Sequence, residues 1–145
     1  MPLVLFGIAL FFIFITPLAE NNQSVQNVLN SVKGMISRPN RNNNPGNLMY
    51  AGQRGAIGKD EQGFAVFDTV DSGWAALYRQ IQLDAGRGFD LKGFINKYAP
   101  PSANDTNAYL QFLIDQIGIN ANTLLSQINV TALAEAIAKF EGFIG

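Results

Sequence analysis

Two residue types are missing from this chain of 145 residues: it has no cysteine and no histidine. Without cysteine there is no disulfide frame, no thiolate nucleophile and no Cys-containing metal site. Without histidine the usual zinc ligand, the Ser-His-Asp triad and the Cys-His pair are excluded, and amidases and peptidases built on them go too. No metal and no cofactor are expected. An excess of positive charge is also lacking: 10 Lys+Arg stand against 11 Asp+Glu, a net charge of −1. Such a balance disfavours nucleic acid as a partner, because phosphate backbones select basic patches. If the chain is an enzyme, its proton transfers fall to carboxylates, tyrosine or lysine. Carboxylates do this most easily at neutral pH, and glycoside cleavage is their commonest use.

Charge is absent from one stretch altogether. From Pro2 to Ala19 the sequence reads PLVLFGIALFFIFITPLA. As a helix it would span about 27 Å, just under a hydrocarbon core of about 30 Å. Residues 1–19 are thus expected to form a transmembrane anchor, with a cleaved signal peptide as the alternative. Against cleavage, the segment has no Lys or Arg ahead of its apolar run, and Pro17 spoils the small-x-small pattern before Ala19. Residues 20–40 then turn polar and Asn-rich and are expected to be a stalk. Within it Val25, Val28, Leu29, Val32 and Ile36 recur at helical spacing, weakened by Gly34 and ended by Pro39.

From Arg41 onward the chain carries the signals of one folded domain, 41–145. RNNNPGNL (41–48) is turn chemistry. Gly52, Gly55, Gly58 and Gly63 punctuate a stretch whose clearest strand is GFAVFD (63–68), so a small antiparallel hairpin is expected near 47–68. Thr69 can cap a helix carrying Val70, Trp74, Leu77 and Ile81 and ending at Gly86. Asp90 can cap a second helix, stopped by Pro100-Pro101, and Asp105 a third, with Gly118 after it. A short helix near 122–127 and a last one from Thr131 to about Phe143 complete the chain. A small sheet followed by helices is an α+β arrangement, mostly helical.

One carboxylate stands apart. On a wheel of about 100° per residue, Leu133, Ile137, Phe140 and Ile144 make the buried stripe of the last helix. Glu135 and Lys139 lie opposite, as an ordinary solvated i,i+4 pair. Glu141 falls at the flank of the stripe, with Gly142 directly behind it. A carboxyl at such an edge is partly desolvated, which raises its pKa and suits it to hold a proton for general acid catalysis. The plainer reading, a charged residue near a helix end, stays open. Against it, the helix dipole disfavours a carboxylate at a C-terminus.

The run RNNNPGNL…GFAVFDTVDSGWAALYRQI…INKYAPPSANDTNAYLQFLIDQIGI…LAEAIAKFEGF resembles the lysozyme-like proteins of phages and prophages, from Arg41 to Phe143. NNPGNL, FAVFDT and YAPPSANDT together carry the likeness. A looser similarity links it to bacterial glucosaminidases and lytic transglycosylases. Their acid-bearing helix comes first, followed by a strand, a hairpin and a tyrosine-containing turn. Here Asn47-Leu48, Phe67-Asp68-Thr69 and Tyr98-Ala99-Pro100 keep that order, and the Glu-Gly helix comes last, as in a circular permutation; close chain termini make this sterically reasonable. The serine of the family's Glu-Ser-Gly-like motif is absent, since Gly142 directly follows Glu141.

The resemblance implies a lysozyme-like fold and a virion-associated lytic transglycosylase or glycoside hydrolase acting on peptidoglycan glycan strands at the cell-wall side of the host, which the N-terminal anchor would hold at the membrane. It implies Glu141 as the catalytic acid and Glu61, in KDEQG, as a second acidic residue from the hairpin. Tyr98 and Tyr109 would line the cleft, and Asn43, Asn44 and Asn47 would bind N-acetyl groups. Each has a plain alternative: a solvated hairpin tip for Glu61, core packing for the tyrosines and backbone geometry for the asparagines. The competing reading of the whole is a non-catalytic virion or membrane structural protein that keeps the fold and binds the wall or other virion proteins. A membrane lysis factor is a third reading, disfavoured because a single anchor before a folded domain leaves no membrane-disrupting pattern.

Overall fold

The computed structural model describes residues 19–102 and 104–145. The expected membrane anchor lies almost entirely outside the described residues. Among those that are described, no helix is long and apolar enough to cross a membrane.

The chain divides into two units, residues 1–34 and 35–145. The first contributes helix α1, Ala19–Met35, which continues one residue into the second unit. Its apolar residues Val25, Val28, Leu29 and Val32 stand exposed. The helix foreseen in the stalk therefore forms, and ends ahead of Pro39.

The second unit is α+β and mostly helical, with one two-stranded antiparallel sheet. It opens earlier than the expected boundary at Arg41. A short helix α2, Arg38–Arg41, holds Pro39 buried in its first turn, where a missing N–H costs nothing. The preceding Ser37 donates its hydroxyl to the Gly142 carbonyl at 2.7 Å, and Ile144 N–H donates to Asn40 Oδ1 at 3.0 Å. Residues 37–40 thus tie down the C-terminal end instead of serving as stalk. Local composition could not show this, because their partners lie about a hundred positions downstream.

Strands β1 (Ala56–Lys59) and β2 (Ala65–Phe67) form the hairpin, with Ala56 opposite Phe67, Lys59 opposite Ala65, and an irregularity between Ala56 and Gly58. Outside these strands, Met49 of the preceding loop pairs with Phe64 in an isolated antiparallel bridge. Ala65 and Phe67 point inward and are buried; Val66 between them is only partly so.

Four longer helices follow. Helix α3, Val70–Gly86, starts at Thr69, whose hydroxyl accepts from Ser72 N–H at 3.1 Å. Helix α4, Leu91–Tyr98, is capped by Asp90, and α5, Thr106–Ile117, by Asp105, with Gly118 left-handed at φ +72°. A 3-10 turn, Leu125–Gln127, precedes α6, Val130–Phe140, which Asn129 caps. The capping expected at Thr69, Asp90 and Asp105 is present at all three. Helix α6 packs on α3 and α5, and α4 on α5. Their meeting faces bury Leu77, Ile81, Phe94, Ile95, Leu113, Leu133 and Ile137, each at 2% exposure or less. Full burial of each such side chain is worth about 1.5–3 kcal/mol.

Helix α6 stops at Phe140, short of the expected Phe143. Gly142 takes φ +81°, and the Phe143 N–H returns to the Ala138 carbonyl at 2.9 Å, closing the helix end. The stripe therefore ends early: Phe140 is 38% and Ile144 83% exposed.

Gly73 fixes where the asparagine-rich loop sits. A Cβ there would lie 1.9 Å from the Asn43 carbonyl oxygen and 2.8 Å from Pro45 Cδ. Only glycine lets α3 approach this loop so closely.

Candidate active site

The asparagine-rich loop, residues 42–48, is clipped to the hairpin by its own side chains. Asn44 is fully buried; its Nδ2 donates to the carbonyls of Leu48 and Ala65, both at 2.9 Å, and its Oδ1 accepts from Leu48 N–H at 2.9 Å. Asn42 Nδ2 donates to Asp60 Oδ2 at 2.8 Å, and Asn43 Nδ2 to the Phe67 carbonyl at 3.1 Å. Asn43 and Asn47 both adopt positive φ, +51° and +49°, a region asparagine tolerates better than most residues.

This frame delivers Asn47 to Glu141. Asn47 Nδ2 donates to Glu141 Oε2 at 2.9 Å, joining residues 94 positions apart. Glu141 caps the end of α6 in helical backbone geometry, its N–H bonded to the Ile137 carbonyl at 2.9 Å, and the chain turns away only after it, at Gly142. Tyr109 comes from α5 and is 1% exposed; its ring stacks on Phe140, with centroids 3.8 Å apart. Its hydroxyl lies beside the Glu141 carboxyl without closing a hydrogen bond of ordinary geometry. Tyr98, from α4, stands edge-on to Tyr109 at 6.5 Å and donates its own hydroxyl to the Gly46 carbonyl.

Burial pushes the Glu141 carboxyl above the usual carboxylate range. Tyr109 and Asn47, which stabilise the anion, and the charge of Arg38 only partly offset that. Burial likewise holds Tyr98 and Tyr109 well above the ordinary phenol value, with nearby Glu141 adding to it, so both are neutral hydroxyls. A carboxyl in this state holds its proton to higher pH than an exposed one and can give it to a bound oxygen, leaving an anion that Asn47 stabilises directly.

Glu141 opens onto a groove of about 680 Å3. Asn47, Leu48 and Met49 line it from the loop, and Gln62 and Phe64 from the hairpin. The end of α3 supplies Leu83, Asp84 and Arg87, and α4 supplies Lys97 and Tyr98. Arg38 lies over the Phe64 ring, 4.1 Å from its centroid, hydrogen-bonds Gln62 and stands 3.8 Å from Asp60.

Of the residues singled out in the sequence, Glu141, Asn47 and Tyr98 line this groove, with Tyr109 packed behind the carboxyl. Glu61 does not line it; it is exposed at the hairpin tip, and its neighbour Gln62 faces the groove instead. Asp60 is used by the turn, its Oδ1 accepting from the N–H groups of Gln62 and Phe64. Asn43 and Asn44 are spent on backbone carbonyls, and neither lines the groove. Trp74 packs against Tyr78 and Phe143, away from the groove lining.

Asp84 went unread in the sequence. It is 1% exposed and accepts from Lys97, from Arg87 at 2.9 Å and from Gln80 at 2.6 Å. Burial acts to raise its pKa, but these donors and the charge of Lys97 outweigh it, and the carboxyl lies below its usual range. A signal was available: Asp84 continues the Leu77–Ile81 stripe at i+7, a core position where a charge must be paired. Among the described residues, no cluster of three or more His, Cys, Asp or Glu side chains could hold a metal ion.

In comparisons with known proteins, no family model and no curated protein matches the chain.

Proposed function

We propose that residues 35–145 form a lysozyme-like domain that cleaves the glycan strands of peptidoglycan, with Glu141 as general acid. The observation that carries this reading is a partly buried carboxyl with a raised pKa, held by Asn47, that opens onto a groove of about 680 Å3. The phage-type sequence resemblance supplies the substrate class, and the N-terminal apolar segment supplies the membrane attachment. In this scheme Glu141 protonates the glycosidic oxygen, and the bond from that oxygen to the anomeric carbon breaks. Asn47 and Tyr109 then stabilise the carboxylate left behind.

Among the groove-lining residues the second carboxylate is Asp84, which is engaged by Lys97 and Arg87. A single available acid favours capture of the oxocarbenium ion by the substrate's own hydroxyl. The proton of that hydroxyl returns to Glu141, and the product is an anhydro-sugar. Glu61, exposed at the hairpin tip, has no part in this scheme.

The test is muropeptide release from purified cell walls by the full chain and by Glu141→Gln. Anhydro-ended products from the first and none from the second are expected. Equal digestion by both removes Glu141 from the chemistry. No digestion by either, with the protein still pelleting on walls, favours a non-catalytic virion scaffold.

A further inference from the structure

The groove holds a second charged group that the glycan-cleaving scheme leaves unused. Asp84 is buried and carries one negative charge, yet its Oδ1 takes both Lys97 Nζ and Arg87 Nη1, while Oδ2 takes Gln80 Nε2. Two cations on one carboxylate leave a surplus positive charge. No second carboxylate pairs with either cation among the described residues. Both side chains line the groove and stay accessible, Lys97 at 43% and Arg87 at 57% exposure. An ammonium has three donors and a guanidinium five, so each keeps donors beyond the one given to Asp84.

The rest of the groove does not cancel that charge. Arg38 is set against Asp60, and Glu141 is held by Asn47 on the loop side. The Asp84 corner of the groove is therefore cationic in a chain whose net charge is −1. A buried carboxylate needs one cation for neutrality; the second is surplus to that need. Asp84 also fixes two long side chains before any ligand arrives, which removes much of the ordering cost of binding an anion.

We propose that Arg87 and Lys97, pinned by Asp84, form a subsite for a carboxylate carried by the glycan strand: that of the peptide stem where one is attached, or the lactyl carboxyl of a muramyl residue freed of its peptide. The subsite rests on the glycan-strand reading of the groove and adds a selection to it: strands bearing carboxylates are taken, and neutral strands of N-acetylglucosamine alone are not.

The experiment uses the full chain carrying Glu141→Gln, so that walls stay intact during binding. Pelleting is compared on native sacculi and on sacculi whose carboxyls have been converted to neutral amides. Native sacculi should bind about fivefold more tightly, the size of one part-exposed charge pair, and the difference should shrink as salt is raised. Arg87→Gln in the same background should abolish the preference, and Arg87→Lys should restore most of it. Lys97 and Gln80 still engage Asp84 in both variants, and a thermal melt checks that they fold. Denuded glycan strands, whose lactyl carboxyl is freed by loss of the peptide, compete for binding if the subsite also takes the lactyl carboxylate and fail to compete if it takes only the peptide's; either result upholds the subsite.

Equal binding to both kinds of sacculi, or a preference that survives Arg87→Gln, overturns it. Loss of the glycan-cleaving reading looks different: the unmutated chain releases no muropeptides while the carboxylate preference persists.

Discussion

Replacing Gly73 by alanine sets two effects of known size against each other inside one helix. Gly→Ala within a helix normally stabilises by about 1 kcal/mol, because alanine loses less backbone freedom on folding. At position 73 the new Cβ would sit 1.9 Å from the Asn43 carbonyl oxygen, 1.1 Å inside the 3.0 Å floor for such contacts. The atom it meets is backbone, in a loop held by Asn42, Asn43 and Asn44, so it cannot swing aside as a side-chain tip would. Overpacking of this kind costs about 1–3 kcal/mol, and the rigid neighbour puts it at the upper end or beyond. The net expectation is a loss of about 2 kcal/mol, or a fall in Tm of roughly 10 °C for a domain of this size.

Gly86, at the other end of the same helix, is the internal control. Nothing lies within 4 Å of its Cβ position, and Gly86→Ala should leave stability unchanged or raise it slightly. Urea denaturation followed by circular dichroism measures both variants on the full chain. If Gly73→Ala is as stable as Gly86→Ala, the close seating of the asparagine loop on α3 is wrong. The placement of Asn47 against Glu141 would then lose its support.

Three further outcomes can be checked on the same protein. Glu141, with its folded pKa raised, stabilises the fold least when ionised: stability should be greatest below the ordinary carboxylate range and fall as pH rises through the raised value. Glu141→Gln should remove that fall and melt higher than wild type at neutral pH, and a wild-type melting profile no steeper than the variant's would refute the sheltered carboxyl. Asn47→Gly keeps the left-handed backbone and deletes a donor to the anion, so the alkaline limb of a cleavage pH profile should move upward; no movement would mean Asn47 does not stabilise the carboxylate. Asp84, with its folded pKa lowered, contributes stability that is present above the unfolded value and lost as pH falls through the folded one. Asp84→Asn should therefore cost about 2 kcal/mol near neutrality and little in strong acid, and an equal cost at both would point to packing instead of charge.

The sequence by itself determined the local events. Thr69, Asp90 and Asp105 announce helix starts because a short polar side chain can reach the free N–H groups two or three residues on, whatever lies elsewhere in the chain. The hairpin, the stripes of α3 to α6 and the suspicion attached to Glu141 are of the same kind, each readable within a few turns. Tertiary structure decided the rest. Whether Glu141 is sheltered depends on Asn47, 94 positions away, and on Tyr109 from a different helix. Glu61 and Gln62 are equally polar neighbours at a hairpin tip, and only the packed fold selects Gln62 to face the groove. The domain boundary moved to residue 35 for the same reason, because Ser37 and Asn40 bond to the far end of the chain. Short-range geometry repeats with the backbone and leaves a pattern in sequence. A groove is made of residues that meet only after folding, and such meetings leave no spacing to read.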